Sequence, residues 1–217
     1  MQKKNRFSSL FFGCVLLLSG TVCAAQTPAN ILKAIVKIKA TIPEDAYTAQ
    51  ILGTTREGNG VIIDKRGHIL TIGYLILEAE SIEIFITNSK PVKADFVAYD
   101  YQTGFGILRA VEPLSIAPLK LGQSDQLKAG DPILIAGFGG LDAVLGSRVV
   151  SRNEFAGYWE YLLEDAIYTS PPYPDFGGAA LIGRDGQLLG IGSVFTQLNI
   201  AGLGVMLPNV LALVDLL

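Results

Sequence analysis

The sequence predicts an all-β fold, a sandwich or a closed barrel, on three observations. Short apolar runs recur about every 10 residues. Glycine-containing turns separate them, drawn from 24 glycines in 217 residues. An apolar period of about 3.6 residues, the mark of amphipathic helices, is almost missing. Half of the residues are apolar and 17% are charged, which is the balance of a folded chain and not of a disordered one. No internal repeat, low-complexity tract or linker divides the chain.

Taken in order, Ile31 to Ile42 reads as a first half-buried strand, because Val36, Ile38 and Ala40 alternate with lysines. Pro43 to Thr55 is polar and turn-rich and reads as a loop. Gly58 to Asp64 and His68 to Ile72 form two apolar runs around the turn Asp64-Lys65-Arg66-Gly67, a hairpin signal. Ser81 to Thr87 alternates, with Ile82, Ile84 and Ile86 on one side and Glu83 and Phe85 on the other. Val92 to Tyr99 and Gly106 to Ala110 are further short strands. Asp131 to Ala136 runs into Gly137-Phe138-Gly139-Gly140, and Val144 to Ser151 follows. Leu181 to Val194 reads as a hairpin around Arg184-Asp185-Gly186, and Leu203 to Leu207 as the last strand. Asn209 to Leu217 reads as a short helix.

Residues 1–25 read as a secretory signal peptide. Lys3, Lys4 and Arg6 give a basic head, Leu10 to Leu18 an apolar core too short to span a bilayer comfortably, and Val22-Cys23-Ala24-Ala25 a cleavage region after Ala24 or Ala25. A membrane anchor is the competing reading. Lipid attachment through Cys23 is weakened by Val22, which stands where a small residue is wanted. Removal of the segment takes away both cysteines, so the mature chain holds no thiol and rests on its hydrophobic core. It also leaves 14 basic against 20 acidic side chains, a net charge of −6, with no basic run. Nucleic acid is thereby excluded as a partner, because phosphate binding needs clustered positive charge. No membrane span is expected after signal removal. One histidine and no retained cysteine argue against a catalytic zinc, and no spaced aspartate cluster calls for another metal, so neither a metal nor a cofactor is expected.

The stretch Tyr173-Pro174-Asp175-Phe176-Gly177-Gly178-Ala179-Ala180-Leu181-Ile182 is a tight glycine turn entering a buried hairpin. It resembles the nucleophile loop of trypsin-like serine proteases of the HtrA (Deg) type, whose pattern is Asn-Ser-Gly-Gly-Ala-Leu. Further motifs follow in the family's order. Gly58-Asn59-Gly60-Val61-Ile62-Ile63-Asp64 with Ile69-Leu70-Thr71 is similar to the hairpin leading to the catalytic histidine. Asp100-Tyr101-Gln102-Thr103-Gly104-Phe105-Gly106-Ile107-Leu108 is similar to the aspartate segment. Leu119-Lys120-Leu121-Gly122-Gln123-Ser124-Asp125 is similar to the inter-barrel connection, and Gly186-Gln187-Leu188-Leu189-Gly190-Ile191 to the hairpin after the nucleophile. The resemblance implies two six-stranded antiparallel β-barrels with a cleft between them, the first over about 31–112 and the second over about 126–208. The chain stops soon after Pro208, so the PDZ domain usual in that family is not expected.

The same resemblance locates the groups that a serine protease needs, and this sequence replaces each of them. A hydroxyl must attack, an imidazole must carry its proton, and a carboxylate must hold the imidazole. Thr71-Ile72-Gly73-Tyr74 puts Tyr74 at the histidine position, and a phenol of pKa near 10 is a poor base at neutral pH. Gly104 takes the aspartate position. Gly177 takes the serine position, or Phe176 if one residue is skipped; neither side chain can attack a carbonyl. Asp175 stands beside the oxyanion site, where its charge opposes a developing anion. His68 lies six residues before Tyr74, roughly 20 Å along an extended strand, and reads as a surface or pleat residue near the turn. Ser170 and Ser193 do not lie at the turn tip.

Peptide binding needs no triad, since an added strand is held by main-chain hydrogen bonds. By resemblance, the edge for it is Ile191, Gly192, Ser193 and Val194. A second surface is the aromatic group Phe155, Tyr158 and Trp159, with Tyr173, Pro174 and Phe176 on the same rim; aromatics of this kind anchor interfaces. The expectation is a secreted, periplasmic pseudoprotease that binds a peptide or protein partner. An endopeptidase with a rearranged site and a structural assembly component are the alternatives.

Overall fold

The computed structural model describes residues 27–156, 162–198 and 201–207. Twelve strands pair into two closed antiparallel barrels. The first is built from β1 (Ile35–Thr41), β2 (Thr55–Ile62), β3 (His68–Ile72), β4 (Ser81–Phe85), β5 (Val92–Tyr99) and β6 (Phe105–Ala110), in the order β1-β2-β3-β6-β5-β4. The second contains β7 (Pro132–Ala136), β8 (Val144–Ala156), β9 (Leu162–Ser170), β10 (Ala180–Ile182), β11 (Leu188–Leu198) and β12 (Ala201–Leu207), in the order β10-β11-β12-β9-β8-β7. Closure pairs both edges of every sheet, which removes the exposed edges that a chain this apolar would otherwise offer for aggregation.

Two-residue alternation decides which face is buried. In β7, Ile133 and Ile135 are buried while Leu134 between them is 45% exposed. In β10 the same alternation separates two cores: Leu181 joins the cluster of Ile133, Ile135, Val149, Ile167 and Leu189 inside the second barrel. Ala180 and Ile182 turn the other way. Together with Leu188, Ile191 and Tyr168 they join the first barrel's Ile38, Ile62, Ile69, Leu70 and Phe105 in one cluster. The apolar core is therefore continuous across the barrel–barrel boundary.

The connection between the barrels is pinned at both ends. Leu119 N–H donates to Ile62 O at 2.9 Å, Leu188 N–H to Lys120 O at 2.8 Å and Gly122 N–H to Leu188 O at 2.9 Å. Leu121 makes an isolated parallel bridge to Leu188.

Five segments differ from the expectation. The run from Ile31 is divided into α1 (Pro28–Lys33) and β1, because Pro28 in the first turn presets helical φ and Ile31 alone of that helix is buried. The loop after Pro43 contains α2 (Ala49–Leu52). The strand ending at Ser151 runs on to Ala156, and β9 has no counterpart in the sequence reading, since Leu162-Leu163-Glu164-Asp165-Ala166-Ile167 shows no clean alternation. Two register shifts in the β8–β9 pairing, the first with its extra residue in β8 and the second in β9, explain why. Each adds a residue to one strand and reverses the face of everything after it. The hairpin ending at Val194 continues to Leu198. The signal segment 1–25 and the helix over 209–217 lie outside the described residues. Among the described residues, no helix is long and apolar enough to cross a membrane.

Candidate functional site between the barrels

A cleft of about 530 Å³ opens between the barrels, lined by Lys37, Glu57, Gly58, Asn59, Tyr74, Leu75, Phe138, Pro174, Asp175, Phe176 and Gly177. Two apolar hollows of about 560 and 570 Å³ flank α1, away from these residues. The described lining of the cleft contains no serine, threonine, cysteine or histidine.

Asn59, at the centre of β2, ties the cleft together. It is 5% exposed. Its backbone N–H donates to Gly177 O at 2.8 Å, and Nδ2 donates to Asp175 O at 2.8 Å and Gly177 O at 3.2 Å. Oδ1 accepts from Phe138 N–H at 2.8 Å. Its carbonyl accepts from Thr71 Oγ1 at 2.6 Å. One side chain thus joins the first barrel to two loops of the second. The approach is close enough to require glycine at 178: a Cβ there would lie 1.8 Å from Asn59 O, and φ is +75°.

Tyr74 sits on a 3₁₀ turn, Gly73–Leu75, directly after β3. Arg56, only 4% exposed, fixes that turn from behind: Nη1 donates to Tyr74 O at 2.7 Å and Leu77 O at 3.1 Å, and Nη2 to Thr48 Oγ1 at 2.7 Å. Burial pushes the guanidinium pKa down, while neighbouring Glu78 acts in the opposite sense. Glu78 in turn accepts the N–H groups of Tyr47 and Thr48 and the Thr48 hydroxyl; the Thr48 hydroxyl and amide are the main reason its carboxyl is held below the ordinary range.

With its backbone held, Tyr74 reaches across to the second barrel. Its Oη donates to Ser193 O at 3.1 Å. A Cβ built on Gly177 would lie 2.8 Å from that same Oη. Gly104 is close by on the third side, since Gly73 N–H donates to Gly104 O at 2.8 Å. The Tyr99 ring covers Gly73, with Cε2 1.9 Å from where a Cβ would be. Tyr74, Gly104 and Gly177 therefore converge, with Tyr99 filling space behind them. Asp100 serves the turn before β6, accepting from Gln102 N–H at 3.0 Å and Thr103 Oγ1 at 2.5 Å.

His68 is elsewhere. It occupies the opposite end of β3 from Tyr74, paired with Arg109 while Ile72 pairs with Phe105. Of the two expectations for it, a surface or a pleat residue near the turn, His68 meets the second: it is the first residue of β3 and 7% exposed, with Nδ1 2.7 Å from Asp64 Oδ2. Partial burial works to raise the Asp64 pKa, but hydrogen bonds from the His68 ring, the His68 N–H and Arg66 outweigh it and hold the carboxyl at about 2.

The suggested strand-addition edge divides in two. Ile191 pairs with Ala180 on one side and Leu207 on the other. Gly192 donates to Ala179 O at 2.7 Å, accepts from Gly178 N–H at 2.9 Å and pairs with Met206. Neither has a side open to a further strand. Beyond them β11 pairs only with β12 among the described residues, with a register shift at Ser193.

The aromatic surface is also rearranged. Tyr173 is not on the rim: it is 8% exposed in the second core, with Oη donating to Ala143 O at 3.0 Å, and burial raises its phenol pKa. Phe155 packs half-buried against the first cluster. Pro174 and Phe176 do line the cleft. Tyr158 and Trp159 lie outside the described residues. Asn59, Arg56 and Tyr99 were not singled out from sequence. Nothing in a single chain marks an asparagine within a strand-like run, an arginine or a tyrosine as supporting a distant loop.

Comparison with known proteins places these features in context. The trypsin-like peptidase domain matches over residues 58–191. Among curated proteins, a probable periplasmic serine endoprotease DegP-like of Pseudomonas fulva is 30% identical over 148 residues, 64% of this chain and 29% of that protein. The periplasmic pH-dependent serine endoprotease DegQ of Escherichia coli is 27% identical over 160 residues, 71% of this chain and 35% of that protein. The chain thus spans about a third of the length of the curated relatives it matches. Among solved structures, the HtrA-type protease AlgW with tripeptide superposes with a TM-score of 0.68 at 22% identity, covering 88% of this chain and 62% of that one. The active form of the Rv3671c protease from M. tuberculosis gives 0.67 at 21%, covering 83% and 78%. At such identities the likeness is one of fold.

Proposed function

The chain belongs to the trypsin-like peptidase family, with relatives of the HtrA type, and from that premise we propose that it is a pseudoprotease: its cleft binds a peptide or protein segment without hydrolysing it. The observation that carries this is the contact between Tyr74 and Gly177. At the place where the family's reaction would occur, a phenol faces a residue with no side chain, and Gly104 offers no carboxylate beside it. General-base catalysis requires the base within about 3 Å of a nucleophile and a pKa near the working pH; a tyrosine opposite glycine meets neither condition. The sole histidine is committed to Asp64 at the other end of its strand. The retained cleft, with Tyr74, Phe138, Pro174 and Phe176 on its walls, supports binding. The leader-like residues 1–25 and relatives named as periplasmic support a location outside the cytoplasm.

The relatives are named as serine proteases, which keeps endopeptidase activity as the second reading. The mature chain incubated with unfolded casein and a fluorophosphonate probe separates the two. We expect no cleavage and no labelling, and the same for Gly177→Ser, because the restored hydroxyl still faces a phenol. Labelling of any serine in the wild-type chain would establish the endopeptidase instead.

A further inference from the structure

We propose that Tyr74 is a latch on the peptide site: its hydroxyl occupies the backbone acceptor of Ser193, and a ligand strand gains full access to that edge only when the hydroxyl leaves. This rests on the peptide-binding reading and specifies how that site is controlled.

One ladder runs along the β10 side of β11. It ends at Gly192, whose N–H and C=O are both taken by the segment Gly178–Ala179. On the other side, the register with β12 passes from Gly192↔Met206 to Val194↔Val205, so Ser193 is the extra residue of a bulge. Bulges re-aim the groups of the residue they insert. Here the Ser193 carbonyl is aimed at Tyr74 of the first barrel. It is the first acceptor past the end of the existing ladder, where an added strand would have to begin. The Tyr74 hydroxyl donates to it at 3.1 Å.

Gly177 is the other half of the device. Its Cβ would lie 2.8 Å from Tyr74 Oη, while the next nearest atoms, Tyr74 Cζ and Leu75 Cδ2, are at 3.8 and 3.9 Å. The φ of Gly177 is not positive, so alanine is conformationally permitted there. The lack of a side chain at 177 is thus what lets the hydroxyl reach Ser193. The glycine and the tyrosine form a matched pair. Arg56 holds the tyrosine's backbone in place, so release is a rotation of the side chain and not of the turn.

Two variants open the latch by different means: Tyr74→Phe deletes the donor, and Gly177→Ala crowds the hydroxyl away while keeping it. In the mature chain without ligand, the carbonyl ¹³C resonance of Ser193 should move upfield in both, as it does when a carbonyl loses a donor. An unchanged resonance in both overturns the latch independently of any ligand. Binding is read by fluorescence anisotropy with a labelled alternating Val–Thr octapeptide. Both variants should bind about 3- to 10-fold tighter than wild type, the worth of one displaced hydrogen bond. The double variant should show no further gain, and an octapeptide N-methylated at alternate backbone nitrogens should lose the effect. Equal or weaker binding by both variants overturns the latch with the binding reading intact. A probe that binds none of the proteins overturns the latch together with the reading it controls.

Discussion

At the scale of single residues, Asn59 shows how much one buried amide can hold. Its side chain satisfies the Phe138 N–H and the Asp175 and Gly177 carbonyls; without it Phe138 N–H and Asp175 O lose this partner, while Gly177 O keeps the Asn59 backbone N–H. Losing hydrogen bonds from partly buried groups costs about 0.5–1.5 kcal/mol each, and more where water cannot replace the partner, so Asn59→Ala should lower unfolding stability by about 1–3 kcal/mol, measured by urea titration. Asn59→Asp should fare no better, because a carboxylate would face the carbonyls of Asp175 and Gly177. A loss below about 1 kcal/mol for Asn59→Ala would show that the loops are held by other means. This role was not legible in the sequence. The segment around Asn59 was recognisable, but its partners lie 79 to 118 positions away, at 138, 175 and 177, and residue type alone does not reveal a three-way contact.

At the scale of elements, the β2–β3 hairpin carries its own electrostatic lock at the turn. Asp64 accepts from the Arg66 and His68 N–H groups and from both side chains, and its carboxyl is held at about 2. An ordinary aspartate in the unfolded chain titrates near 4. The depressed folded value means that the stabilisation is present in full above pH about 4 and is lost as pH falls through about 2, with a ceiling of roughly 2 kcal/mol before solvent screening reduces it. Asp64→Asn should therefore be less stable than wild type at pH 5, and the gap should narrow as pH is lowered toward 2; a constant gap would mean that the turn is held without the charge. This hairpin was also the most legible element, since its turn residues and apolar runs are contiguous. The opposite case is the β8–β9 hairpin. Its bulges break the alternation by which a strand shows in sequence, so β9 is not legible there.

At the scale of the whole molecule, two barrels could behave as two folding units or as one. Ala180, Ile182, Leu188 and Ile191 of the second barrel are buried in the same cluster as Ile38, Ile62 and Leu70 of the first. Neither barrel can unfold without exposing apolar surface of the other. We expect a single cooperative transition, with calorimetric and van't Hoff enthalpies equal. Two resolved transitions would show that the shared cluster is too weak to couple them. The pairing of barrels was legible through the order of motifs along the chain, not through periodicity, which fits a sandwich equally well. The continuity of the core was not, because alternation says that Leu181 and Ile182 face opposite ways but not which barrel each one meets.

The strap from Leu119 to Gly122, sewn to Ile62 on one barrel and Leu188 on the other, has a mechanical consequence. Two bodies joined by a slack tether can open and close like jaws, whereas two bodies riveted across their seam cannot. The groove therefore has a set width. A guest is selected by whether its own shape suits that width, and adjustment on the host's side is confined to side chains at the lip.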